Sequence, residues 1–194
     1  MKNALSLFAL IAAFPAVAEE TRQLDAHEHG VGTLNIAIDG AEVAMEFHAP
    51  GADIVGFEYE ASGAADLTAI ETALAALNAP LELFAMSSAA GCVVNNARAE
   101  LETEGEHEDH DDHDDHDAHA HDEDHEDHGD DAGHTEFHAE YALSCSSADA
   151  LSEITFRYFD AFPNAEEVEV QLVTSNGAQA FEVTRATPVL DLDR

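Results

Sequence analysis

The chain has 194 residues, with 42 Asp and Glu against six Lys and Arg, a formal net charge of −36 and 45% hydrophobic residues. That length fits one domain with an appendage. The charge excludes nucleic acid and anionic membrane surfaces as partners, since both demand positive charge, and favours cations or basic partners.

The opening "MKNALSLFALIAAFPAVAEE" joins Lys2, an apolar run from Ala4 to Phe14 and an Ala16-Val17-Ala18 cleavage motif. This is the layout of a secretory signal peptide, too short to span a bilayer. Residues 1–18 are expected to be removed, leaving 19–194 as a single soluble domain with no membrane insertion. Cleavage takes Lys2, the only lysine. Cys92 and Cys145 fit an exported protein and read as one disulfide, the alternative being two buried thiols. Neither has a C-x-x-C neighbour, which argues against a redox motif and a four-cysteine zinc site.

"GTLNIAIDGAEVAMEFHAPG" reads as a β-hairpin. Leu34, Ile36 and Ile38 alternate with polar or small residues, as do Val43, Met45 and Phe47, and Asp39-Gly40 is a favoured turn pair. With Ile38 opposite Ala41, Ile36 faces Val43, Leu34 faces Met45, and all the large apolar residues share one side. "SGAADLTAIETALAALNAP" places Leu67, Ile70, Leu74 and Leu77 at helical spacing, with Ser62 as the cap and Asn78 and Pro80 as stops. That stripe is core packing. "CVVNNARAELE" and "EFHAEYALSC" read as strands, the second alternating cleanly through Phe137, Tyr141 and Leu143. They are simplest as an antiparallel pair whose cysteines meet at the open end. "EVEVQLVTSNGAQAFEVT" is another hairpin, turning at Asn176-Gly177, and the aromatics of "FRYFDAF" fill the core. The fold class is α+β, mainly antiparallel sheet with one principal amphipathic helix.

Between those two strands lies a stretch unlike the rest. Residues 104–134 hold nine histidines, sixteen Asp or Glu, and six Gly or Ala. The histidines are His107, His110, His113, His116, His119, His121, His125, His128 and His134. With no apolar surface to offset ordering entropy, the segment should be a disordered inserted loop when metal-free. Near neutral pH imidazole is ready to coordinate, and carboxylates add oxygen ligands. Tetrahedral zinc takes four ligands, so nine imidazoles suffice for about two ions. An oxygen-only calcium site is disfavoured, whereas copper and nickel fit the same donors. The bland alternative is a solvated acidic spacer.

A second cluster is expected in the fold itself. "DAHEHG" puts His27 and His29 on one side of an extended chain. The hairpin register above sets His48 opposite Val31, with His29 diagonal to it at about 7–8 Å. Three imidazoles and Glu46 would then converge as a zinc site, with His138, flanked by Glu136 and Glu140, as a candidate fourth ligand. Gly30 and Gly32 could break the strand first, which would leave three surface histidines.

"AHEHGVGTLNIAIDG", "PGADIVGFEYE", "AAGCVVNNARAELE", "AEYALSC" and "FRYFDAFPNAEEVEVQLVTSNGAQAFEVT" resemble, in order, the ZrgA-type periplasmic zinc-binding proteins of Gram-negative bacteria. The H-x-H-G start, the G-F-E stretch and two cysteines around a His/Asp-rich insertion are the most specific parts. The resemblance implies a periplasmic protein with Zn2+ as its cargo, accessory to an ABC-type zinc importer and its solute-binding protein. Residue by residue it points to His27, His29 and the insertion histidines. Tyr59 stands where the family often has histidine after G-F-E. A buffer for excess zinc, copper or nickel is the runner-up, and an acidic docking module is a third class. No enzyme activity is expected, since nothing resembles an activated nucleophile.

Overall fold

The computed structural model describes residues 28–103 and 134–192. The expected signal peptide, His27 and the insertion histidines from His107 to His128 lie outside the described residues. None of the described helices is long and apolar enough to cross a membrane.

The α+β class holds. In chain order the elements are β1 (Val31–Asp39), β2 (Glu42–Pro50), α1 (Gly51–Ile54), α2 (Ala64–Leu77), α3 (Pro80–Leu83) and β3 (Phe84–Met86). There follow β4 (Cys92–Thr103), β5 (Thr135–Cys145), β6 (Glu153–Phe156), α4 (Tyr158–Ala161), β7 (Glu167–Thr174), β8 (Gly177–Thr184) and β9 (Val189–Asp191). Six strands form one sheet in the order β4-β5-β2-β1-β7-β8, and β3-β6-β9 form a second. Every pairing is antiparallel except β1 with β7, which the sequence pattern did not announce.

Alternation decides which side of the large sheet is buried. Leu34, Ile36, Val43, Met45, Phe47, Phe137, Tyr141, Leu143, Val168 and Val170 all point to one side and are at most 3% exposed. Each large side chain so buried contributes roughly 1.5–3 kcal/mol. The aromatics close this core as expected: Phe84 lies 5.6 Å from Phe47, 5.3 Å from Phe156 and 6.1 Å from Tyr158, centroid to centroid. Arg185 ties the same region together by donating to the carbonyls of Phe159, Phe162 and Ala165. The opposite side of the sheet keeps its polar residues.

Three local expectations are corrected. The first hairpin pairs Asp39 with Glu42, so Ile38 faces Val43, Ile36 faces Met45 and Leu34 faces Phe47. Its loop is Gly40-Ala41, with Gly40 at φ 57° in the first loop position, where II′ hairpins carry glycine. In the last hairpin Thr174 pairs with Gly177, which makes Ser175-Asn176 the loop. Helix α2 starts after Gly63 rather than at a Ser62 cap, and Leu67 is 47% exposed because the helix packs through Ile70, Ala73, Leu74 and Leu77. Strands β4 and β5 pair antiparallel as read, and Cys92 and Cys145 are opposite one another and joined by a disulfide.

Candidate metal centre

Two histidine–carboxylate clusters stand on this frame. The first lies at the edge of the fold, where the chain enters β1. Gly30, at φ 90°, makes the turn that a side chain would strain, and it is pinned on both sides. Its N–H donates to the buried Asp53 Oδ1 at 2.7 Å, and its carbonyl accepts from the N–H groups of Glu166 and Glu167. His29 is thereby held beside Glu58. Its Nε2 is 3.1 Å from Glu58 Oε1, while His134 Nδ1 is 2.8 Å from Glu58 Oε2. His134 arrives from the other direction, at the foot of the insertion. Gly51 brings these segments together, since a methyl there would collide with the Thr135 hydroxyl and stand 2.6 Å from the Phe57 carbonyl.

Electrostatics follow from this crowding. Burial pushes the Glu58 carboxyl up, but hydrogen bonds from His134 and His29 outweigh it and hold the group below the ordinary glutamate value. Asp53 goes the other way: burial raises it, and the Gly30 N–H offsets only part of the rise. Its Oδ2 is buried with no hydrogen-bond partner among the described residues.

The second cluster lies on the polar side of the large sheet. Register sets His48 of β2 directly opposite His138 of β5, and Glu100 of β4 opposite His138 in turn. The two imidazoles stack with centroids 4.4 Å apart and planes 12° from parallel. Glu46 precedes His48 by two residues, so it shares that side. Its carboxyl is held below the ordinary value by the Asn35 amide against burial, with His48 and His138 adding to the effect. His48 is raised by its hydrogen bond to Glu136, again against burial.

Of the expected trio, His27 lies outside the described residues, and His29 and His48 go to different partners. The true register puts His48 opposite Thr33 rather than Val31, and the chain turns at Gly30 before His29 can join the strand. His29 goes to Glu58 and His48 to His138. His138 is thus brought to a ligand cluster, though with His48 and Glu46 alone of the expected set. Tyr59 is half exposed, stacks on Phe57 at 4.7 Å, and donates to Asp66 of α2 at 3.3 Å. Sequence reasoning missed Glu58, Asp53 and Glu102. The G-F-E stretch was the one signal for Glu58, and nothing in the spacing marked the other two.

Both clusters offer imidazole and carboxylate donors, the chemistry of exchangeable zinc sites. A family model described as ZrgA family zinc uptake protein matches residues 26–192. No curated protein matches the chain.

Proposed function

The chain belongs to the ZrgA family of zinc uptake proteins, and from that premise we propose that it captures Zn2+ in the periplasm and supports its delivery to an ABC-type importer, handing ions to the importer's solute-binding protein. The observation that carries this reading is the meeting of His29 and His134 on one carboxylate, Glu58. His134 ends the histidine-rich insertion, so an ion gathered there has a donor set of the fold at its threshold. His29 and His134 are 66% and 60% exposed, which suits transfer better than permanent retention. The role is binding and hand-over, with no catalysed reaction.

Deletion of the gene should slow growth when zinc is scarce, and zinc-loaded protein should transfer its ion to the metal-free solute-binding protein. Harm appearing only under excess zinc, copper or nickel would instead favour the storage role of the same ligands. His29→Gln/His134→Gln in the full chain should reduce transfer while leaving the fold intact by circular dichroism. Transfer at the wild-type rate in that variant would remove the edge cluster from the pathway.

A further inference from the structure

The polar side of the sheet carries features that the uptake reading does not use. We propose that His48, His138 and Glu46 form a second zinc site, built into the rigid sheet and independent of the edge cluster. Its donors are His48 Nε2, His138 Nε2 and Glu46 Oε1, and the ligand atoms of these residues lie within 4.8 Å of one another.

Spacing is the first argument. Both Nε2 atoms are 3.6 Å from the same Glu46 Oε1. That is too long for a good hydrogen bond. Two donors on a tetrahedral zinc with bonds of about 2.0–2.1 Å are separated by about 3.3 Å. The two carboxylate–imidazole separations are thus within a few tenths of an ångström of a closed set, and a turn of one stacked ring about its side-chain bonds would bring both Nε2 lone pairs onto one ion.

The backs of the two rings give the second argument. His138 Nδ1 is 3.1 Å from Glu102 Oε1, and His48 Nδ1 is 3.5 Å from Glu136 Oε2. A carboxylate behind each imidazole favours the proton on Nδ1, turns the Nε2 lone pair toward the site and raises its basicity. These are the outer partners that zinc-bound histidines use.

A third argument comes from His138, which is 5% exposed and has a buried Nε2 with no hydrogen-bond partner among the described residues. Such an atom is costly to leave unmatched. Mere ion pairing by protonated histidines accounts for this arrangement less well. It would stack two imidazolium rings at 4.4 Å and still leave that atom without a hydrogen bond. Charge points the same way. Glu46, Glu100, Glu102, Glu136 and Glu140 crowd this surface, and the neighbouring Arg98 is engaged by Glu100 at 2.6 Å. A divalent cation offsets that excess. With Glu46 41% and His48 25% exposed, the fourth position faces water, which makes the ion exchangeable.

Imidazole 15N spectra of the full chain during zinc titration test this directly. The expected result is that Nε2 of both His48 and His138 moves to the metal-bound position with the proton fixed on Nδ1. His48→Gln should abolish the response at His138, and Glu102→Gln should weaken it by about 10–100-fold, as loss of an outer partner does. A structural role for Glu102 would change the melting temperature and leave zinc affinity alone. If both Nε2 signals stay put through zinc saturation while other histidines respond, the site does not exist. His29→Gln/His134→Gln should leave the sheet response unchanged, and its disappearance there would overturn independence. Failure of the growth and transfer tests would refute the uptake role without touching these spectra.

Discussion

The two clusters use the same residue types to opposite effect. At the edge, Glu58 is engaged by both histidines at 2.8 and 3.1 Å, so the donors already satisfy one another. On the sheet, Glu46 stands 3.6 Å from both Nε2 atoms, and the hydrogen bonds go to the backs of the rings. The edge histidines come from a turn and a strand end and are largely exposed. Those on the sheet sit on two paired strands, β2 and β5, backed by Glu102 of β4, with His138 buried. An ion entering the edge must displace existing hydrogen bonds, whereas one entering the sheet completes an open set. Preorganisation lowers the cost of binding, so of the two exchangeable sites proposed the sheet should hold zinc more tightly than the edge.

The disulfide gives the largest way to break this contrast. Cys92 and Cys145 close a separation of 53 residues, which in the chain-entropy model stabilises the fold by roughly 4 kcal/mol. Strand β4, which carries Glu100 and Glu102, lies at the border of the sheet and among the described residues pairs only with β5. Cys92→Ser/Cys145→Ser should lower the unfolding free energy in urea by about that amount. In the protein still folded, zinc ligation at His138 should weaken while His29 and His134 respond as before. Equal weakening at both clusters would mean that the sheet gains nothing from its third strand.

Asp53 is the converse lever, acting on the edge alone. Asp53→Ala removes the acceptor that pins the Gly30 N–H and should cost about 1–3 kcal/mol in thermal or urea unfolding. It should also free His29 from Glu58, visible as altered His29 imidazole signals, with His48 and His138 unchanged. Asp53→Asn keeps an oxygen for Gly30 and removes a charge that burial disfavours, so its cost should be much smaller. If Asn is as damaging as Ala, the carboxylate matters through charge and not through that hydrogen bond.

How much of this the sequence could show depends on where face and register are decided. The alternations in β1, β2 and β5 are read correctly because one buried side leaves little choice. The two-residue error at the first hairpin keeps every core residue inside, since a shift of two preserves the face. It nevertheless moves His48 off Val31 and away from His29. Glu102 was hidden by a different effect. Cys92 pairs with Cys145 and Val94 with Leu143, but Asn95 is an extra residue in a bulge, and Asn96 pairs with Ala142. Counting straight from the cysteines would put Ala99 opposite His138 and turn Glu100 and Glu102 toward the core. The bulge reverses the face and places both glutamates beside His138. The β1–β7 pairing joins segments far apart in the chain, beyond the reach of local pattern.

The smallest expected effect separates the clusters by pH, in metal-free protein held in chelator. Glu58 is held below its ordinary 4.5, so its stabilising contribution is present above that value and is lost as pH falls through its lowered folded value. Glu46 behaves in the same way on the sheet. His48 is raised above its ordinary 6.5. Its contribution is complete below 6.5 and is lost as pH rises through the raised folded value. The edge, through Glu58, therefore weakens on the acid side, while the sheet weakens on both. Glu58→Gln should remove Glu58's share of the acid limb of the stability–pH curve, leaving that of Glu46, and leave the other limb intact. His48→Gln should flatten the decline above neutral and leave Glu58's share of the acid limb. Urea unfolding across this range reads both limbs. A His48→Gln curve parallel to wild type above pH 6.5 would show that the Glu136–His48 contact does not persist in solution without metal. The sheet would then need its ion to become ordered, and its claim to be the preorganised member of the pair would fall.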